Sequence, residues 1–504
     1  MTIRHTPPLS RRARQRGAFA IMAVPLLFVM LGFSALAVDA GLIYNRIVDL
    51  HGVAKAAALA AARELDGTAA GVTAARNAAS TAVANLRYHN FANGIPFGWN
   101  DSALSFGSTS ARSGTWLSVT EVGGSNTQAA GLYFARVDTA GLAPGASTIE
   151  TIFIRILSSA LDTIRVSESA IAGRTSVRAL PIAVCAMSTQ AASARSASNA
   201  AGTVTLSELV QWGFRRGISY DLMKLNPNGT SPVRYAVNPV SEPGTNGASV
   251  SLPALAPFVC SGSMWVKRLT SNAIRVTELP SPHPLASLSA ALNTRFDNYS
   301  GTSCNLSGAP PDINIKSYAY DQTGVVKWMS PEKGSPAVAT TTDYGKSEPV
   351  IDLPTPPTSA GDYGPLWAFA KAVKAPSPIT AAEPANGYAT FSSTEWPILY
   401  KSGPTAVNYP SSPPVPYLGS TVISGYYESP RTDNKPKSVP YRRVLHIPLL
   451  SCSPTAPSGT NVEANVVAVG KFFMTVPATG DSLIGEFAGL LPPQSLPGHV
   501  ELFP

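Results

Sequence analysis

The rhythm of hydrophobic and polar positions changes twice along the chain. From Gly17 to Val38 there is no rhythm at all: the 22 residues GAFAIMAVPLLFVMLGFSALAV carry no charged side chain. At about 1.5 Å per residue a helix of that length spans roughly 33 Å, close to a hydrocarbon core of about 30 Å. A core helix that long would show a polar face, and this run has none. From Asp39 a helical period sets in. Ile43, Ile47, Leu50, Ala54, Ala57 and Ala61 fall on one face in 4-3-4-3-4 spacing, with Asn45, Arg46, Asp49, Lys55 and Arg63 opposite. Gly67 after Asp66 is a candidate C-cap. A second alanine-rich helix is expected from Gly71 to Tyr88, with Val72, Ala75, Ala79, Val83 and Leu86 on one face. From Phe97 the period drops to two. Thr115 to Val119, Tyr133 to Val137, Thr151 to Leu157 and Ile164 to Ile171 read as strands, and this first β-rich region ends near Arg178.

Beyond Arg178 the pattern is less regular. Ser188 to Ala201 reads as a loop or a helix start, and Ser207 to Phe214 as a helix with Ser207 as N-cap. Met264 to Leu269, Tyr441 to Leu450 and Val462 to Val476 read as strands. Pro448 places the second of these at a sheet edge or ends it early, and Pro349 to Gly361 and Lys401 to Pro416 are too proline-rich for central strands. No internal repeat of 20 to 50 residues is visible. The pattern predicts an α+β chain: a single apolar helix extended by an amphipathic one, then a β-rich body. Its expected divisions are a basic tail 1–16, a membrane helix 17–38, an alanine-rich helical region 39–90, a first β-rich region 91–178, and a proline-rich, cysteine-containing β-rich domain 179–504.

Charge orients the apolar run. Arg4, Arg11, Arg12, Arg14 and Arg16 precede it with no acid among them. Arginines favour the cytoplasmic side, so the tail is expected inside and everything after Asp39 outside. Gly17, Ala18, Phe19, Pro25, Val38 and Asp39 mark the expected anchor; membrane helices tolerate the proline. The alternative is a secretory signal cut after Ala35-Leu36-Ala37. Against it stand the length of the apolar stretch and a helical pattern that runs on past Ala37. Removing the five tail arginines from the 38 basic residues leaves 33 against 30 acidic ones. The basicity is thus a topology signal, and no nucleic-acid partner is expected. Only 13% of residues are charged, while 44 prolines and 44% hydrophobic residues suit an extracytoplasmic body with a sizeable core. The alanine seam leaves two readings, packing within the chain or a seam between subunits.

The stretch RQRGAFAIMAVPLLFVMLGFSALAVDAGLIYNRIVDLHGVAKAAALAAARELDG resembles the N-terminal signature of the TadE/TadG-like family of Flp (tight adherence) pilus-assembly proteins. The likeness rests on Arg16-Gly17-Ala18, the exit phrase Ala37-Val38-Asp39-Ala40-Gly41, and the alanine block Ala56 to Ala62. Glu208 to Pro227 and Arg442 to Ser451 resemble phrases of larger, TadG-type members. The resemblance implies a single-pass inner-membrane protein of a pilus apparatus, with other assembly proteins as partners. Prepilin-like relatives cut after a glycine carry a glutamate five residues on, where this chain has Met22, so the anchor is expected to stay attached. Some TadG-type proteins carry a metal site beginning Asp-x-Ser-x-Ser. The nearest string here, Asp343 to Ser347, lacks the middle serine and the preceding strand.

Cys185, Cys260, Cys304 and Cys452 all follow the anchor, and an even number in an oxidising compartment favours two disulfides, with three pairings open. They lie at least 44 residues apart, too far for the close ligand pairs of a zinc site. The six histidines are scattered, with no His-Glu-x-x-His and no Gly-x-Ser-x-Gly elbow. Gly345-Lys346-Ser347 ends like a phosphate loop, but Thr340 stands where its first glycine belongs. His446, between Leu445 and Ile447, reads as a structural strand histidine. No catalytic residue and no cofactor is expected. The expected role is structural or assembly work by a membrane-anchored pilus component. An anchored adhesin, or a periplasmic binding protein or enzyme with an unreadable site, is the alternative. Oligomeric state stays open.

Overall fold

The computed structural model describes residues 16–86, 97–318, 340–341, 348–349, 368–399, 417 and 427–504, apart from residues 144, 158, 200, 230, 271–272, 385, 393, 493–495 and 497; for 16–21 only the backbone is described. The chain is α+β, a long N-terminal helix followed by a β-rich body of several sheets. Helix α1 (Arg16–Glu64) joins the apolar run and the amphipathic stripe into one element of 49 residues with Pro25 inside it. Helix α2 (Ala69–Ala84) follows a short turn. Thr68 is its N-cap, and its Oγ1 accepts the Gly71 N–H at 3.0 Å. The turn needs Gly67, whose φ of +81° is costly for residues with a Cβ. Val72, Ala75, Ala79 and Val83 are buried and Leu86 half-buried, the face that the sequence predicts; 87–96 lie outside the described residues.

The first β elements are β1 (Leu104–Gly107), β2 (Trp116–Ser118), β3 (Phe134–Asp138), the hairpin β4 (Thr148–Glu150) and β5 (Thr163–Arg165), and β6 (Ser169–Val177). The body continues through β7 (Ile182–Cys185), β8 (Ala192–Ser198), β9 (Thr205–Gln211), β10 (Phe214–Arg215), β11 (Ser219–Asp221), β12 (Arg234–Val237) and β13 (Ile274–Glu278). After the small hairpin β14 (Thr340–Thr341) and β15 (Glu348–Pro349) come β16 (Val444–Leu450), β17 (Val462–Ala464), β18 (Val466–Met474), β19 (Ile484–Leu491) and β20 (Gly498–Phe503). One sheet runs β2-β1-β3-β6-β20, antiparallel throughout. Helix α1 packs on it and α2 packs on α1, and their alanines share a core with Leu104, Phe106, Ala135, Val137, Ala170 and Ala172. A larger sheet runs β11-β19-β18-β16-β7-β12-β13-β17, with β16 and β7 as its parallel pair. Both of its faces are covered. Ile182 and Val184 of β7 enter one core and Ala183 and Cys185 the other, which is why this strand reads as continuous apolar sequence. Strands β10-β9-β8 form a third, small sheet.

The chain leaves the first sheet after Val177 and enters the second at Ile182. It then returns: β20 pairs with β6 from Gly498↔Val177 to Phe503↔Ile171. Five local expectations change. Ser207 to Phe214 is not a helix; β9 occupies Thr205–Gln211, with Glu208 fully buried within it. Arg215 Nε donates to both of its oxygens at 3.1 and 3.0 Å, which compensates the buried charge. Ser188 to Ala201 contains β8, paired along its length with β9. Of Met264 to Leu269, Met264 alone bridges to a strand residue, Val177, and the rest forms no strand. Thr151 to Leu157 turns into a short helix, Ile154–Leu157, for a reason that lies at Asp39. Pro448 is interior, between β18 and β7. The proline is tolerated because the β7 ladder engages only at Leu449 and Leu450. Residues Asp343 to Ser347 and Lys401 to Pro416, and all of Pro349 to Gly361 except Pro349, lie outside the described residues.

Candidate functional site

The candidate site is the junction where α1 enters the body. Up to Val38 the helix presents its apolar side chains outward, with Phe28, Phe33 and Val38 exposed by 70%, 69% and 48%. One residue later Asp39 is 1% exposed. Its Oδ1 accepts the Ile152 N–H at 2.9 Å, and its Oδ2 accepts those of Phe153 and Ile154 at 2.9 and 2.6 Å. These amides open the short helix Ile154–Leu157, so a carboxylate from more than a hundred residues upstream does the work of an N-cap. Burial by itself would raise the pKa of Asp39. The three N–H donors and nearby Arg155 outweigh it and hold the carboxyl below its ordinary value. The apolar run therefore ends on a charge already committed to the body's backbone.

Above that clamp the predicted stripe divides. Leu50, Ala54, Ala57 and Ala61 are completely buried, whereas Ile43 and Ile47 are half-buried. Val53, Ala58, Ala62 and Leu65 are buried too, because α1 meets α2 on one side and strands β3 and β6 on the other. Alanine suits this position by letting three backbones approach closely. On the opposite face Asn45 and Arg63 are exposed, and Arg46, Asp49 and Lys55 are half-buried. His51 Nδ1 lies 3.3 Å from Glu168, a second polar tie between α1 and the first sheet's connections. At the end of α1, Arg174 of β6, 2% exposed, donates to the Arg63 carbonyl, one of the acceptors that a helix end leaves open. Asp66 Oδ1 accepts both the Thr68 N–H at 2.9 Å and its hydroxyl at 2.7 Å, shaping the turn into α2.

Next to this helix end is a cavity of about 670 Å³ whose lining includes Arg63, Arg174, Arg178 and His499 and is cationic in character. Among the described residues no group of three or more His, Cys, Asp and Glu is placed to hold a metal ion. The cysteines pair Cys185 with Cys452 and Cys260 with Cys304, with Cα separations of 5.5 and 5.7 Å. Both bridges lie in the second region, and the first fastens the end of β7 to the segment following β16. His446 Nδ1 meets the Arg178 carbonyl at 2.8 Å, a structural contact. Of the residues expected to mark an anchor, Gly17, Ala18 and Phe19 are described by backbone alone, within α1; Pro25 and Val38 lie in its exposed part, and Asp39 begins its buried part.

Sequence reasoning placed Asp39 at the exit but missed what it holds. Its partners are backbone N–H groups, and the side chains of Ile152 and Phe153 give no sign of them. Arg174 was missed as well, since a lone arginine in a strand carries no mark of a helix end to be capped. Comparison with known proteins finds no matching family model, no matching curated protein and no matching solved structure.

Proposed function

We propose that the chain is a membrane-anchored structural or assembly component of a Tad/Flp-type pilus apparatus, with its N-terminus in the cytoplasm and its body in the periplasm. The observation that carries this reading is the continuity of α1. One helix is long and apolar enough to cross a membrane in its first half and forms the core of the first sheet in its second, with Asp39 closing on the body between them. Such a joint transmits position: the body cannot tilt or rotate independently of the membrane segment without breaking a buried alanine seam. That is the mechanics a scaffold or coupling element needs. The two disulfides suit an oxidising compartment, and the likeness of residues 14–67 to TadE/TadG-like proteins supplies the pilus context.

Two measurements test this reading. Alkaline phosphatase fused after Asp66 is expected to be active, and fused before Gly17 inactive; the reverse pattern would exclude the orientation. A strain lacking the gene is expected to lose pili and surface adherence, and normal piliation in that strain would exclude the assembly role.

A further inference from the structure

The clamp at Asp39 has a second side. By gripping the amides of Ile152, Phe153 and Ile154 it holds the β4–β5 hairpin loop at the level where the apolar run stops. Three apolar side chains are exposed there: Ile152 by 46%, Phe153 by 38% and Leu161 by 45%. Leu36 and Val38, 40% and 48% exposed, lie within about one helical turn (about 5 Å) of Asp39 along α1. The clamp thus brings exposed apolar side chains beside the end of the apolar run. Glu150, Arg155, Asp162 and Arg165 are all exposed in this hairpin, and their charges cancel. Tyr44, 67% exposed, stands about 8 Å further along the helix, a depth that suits an interfacial tyrosine.

We propose that Ile152, Phe153 and Leu161 of this hairpin form an interfacial foot, inserting into the outer headgroup–acyl boundary of the membrane that α1 crosses. This rests on the reading of α1 as a membrane span. The occupant of the patch is lipid because Asp39 ties Ile152 and Phe153 to the end of the surface that lipid would cover, at its rim, where phenylalanine and aliphatic side chains are favoured. With no net charge in the hairpin, the attachment is apolar and independent of anionic lipid. A foot at the rim makes a second point of support beside the helix and sets the body's tilt relative to the bilayer.

Nitroxide accessibility of the full chain in phosphatidylcholine vesicles, with and without added phosphatidylglycerol, tests the proposal. The native cysteines are paired, so Phe153→Cys, Leu161→Cys, Leu27→Cys and Val204→Cys each give one labelling site; the clamp is made by backbone amides and survives the first of these changes. Labels at 153 and 161 are expected to collide with oxygen more, and with a water-soluble nickel complex several-fold less, than the label at 204, equally in both lipid compositions. The label at 27 is expected to be deeper still. A lipid-like reading at 27 with a water-like reading at 153 and 161 would overturn the foot alone. Low collision with both reagents at 153 would mean that protein covers the patch, and would overturn it too, as would insertion confined to anionic vesicles. A water-like reading at 27 would remove the membrane span and the foot with it.

Discussion

Among the described residues, two carboxylates each hold three consecutive backbone N–H groups, and their surroundings set opposite consequences. Asp39, at the rim of the apolar run, is held below its ordinary pKa, since the donors and Arg155 outweigh burial. A carboxyl lowered on folding contributes at and above its unfolded value, and loses that contribution as pH falls through the lower folded value. In Asp39→Asn the carboxamide nitrogen cannot accept, so at least one of the three amides loses its partner. The amides of Ile152 to Ile154 are then expected to exchange hydrogen faster while membrane insertion stays normal; unchanged exchange would remove the clamp. Glu486 of β19 accepts the N–H groups of Ala368, Phe369 and Ala370 at 2.7, 2.9 and 2.7 Å, yet burial pushes it up from 4.5 to about 7. Here the folded state keeps the proton that the unfolded chain loses, so stability falls as pH rises from 4.5 to about 7 and is level above. The span amounts to about 3 kcal/mol. Urea titrations of Glu486→Gln are expected to lack this fall; a pH dependence identical to that of the unaltered chain would refute the assignment.

At the scale of elements, the α1–α2 seam fastens the continuation of the apolar run to the body. Ala57 is completely buried in the hydrophobic core that α1 and α2 share with the first sheet. An aspartate there is expected to cost about 3–5 kcal/mol, the penalty for a buried charge left without a partner. Ala57→Asp should make the folded body protease-sensitive and abolish piliation, while carbonate extraction still leaves the chain in the membrane. Lys55→Asp, at a half-buried position, should leave protease resistance close to normal. Equal resistance of the two variants would show that the seam bears no load. The seam itself is legible in sequence because a 3.6-residue period is a local signal, carried within a few turns. The strand β9 is not legible, because its burial depends on Arg215 arriving from the next strand to neutralise Glu208.

For the whole molecule, the shared use of α1 predicts where the chain can be shortened. A body beginning at Asp39 keeps Leu50 to Leu65 over the first sheet and is expected to be soluble and monodisperse when exported. One beginning at Thr68 exposes Val72, Ala75, Ala79 and Val83 of α2 together with Ala135, Val137, Ala170 and Ala172 of the sheet, and is expected to aggregate. Size-exclusion chromatography distinguishes them, and a well-behaved chain from Thr68 would mean that α1 is dispensable to the core. The closing strand enforces the same unity from the other end, since β20 completes the first sheet more than 300 residues after β6 has left it.

By itself the sequence determined the features that neighbouring residues can specify. These are the uncharged run from Gly17 to Val38, the alanine face beyond it, the Val72-to-Val83 face of α2, and the strands that alternate clearly. In each case the signal is a composition or a period contained in a few turns of chain. Only the tertiary structure decided that Asp39 grips amides 113 to 115 residues away, that Arg174 caps α1, that the cysteines pair 185 with 452 and 260 with 304, and that the last strand returns to the first sheet. The physical reason is common to all four. Their partners are backbone groups or identical thiols, which look alike at every position, and folding alone selects the copy that comes within bonding distance.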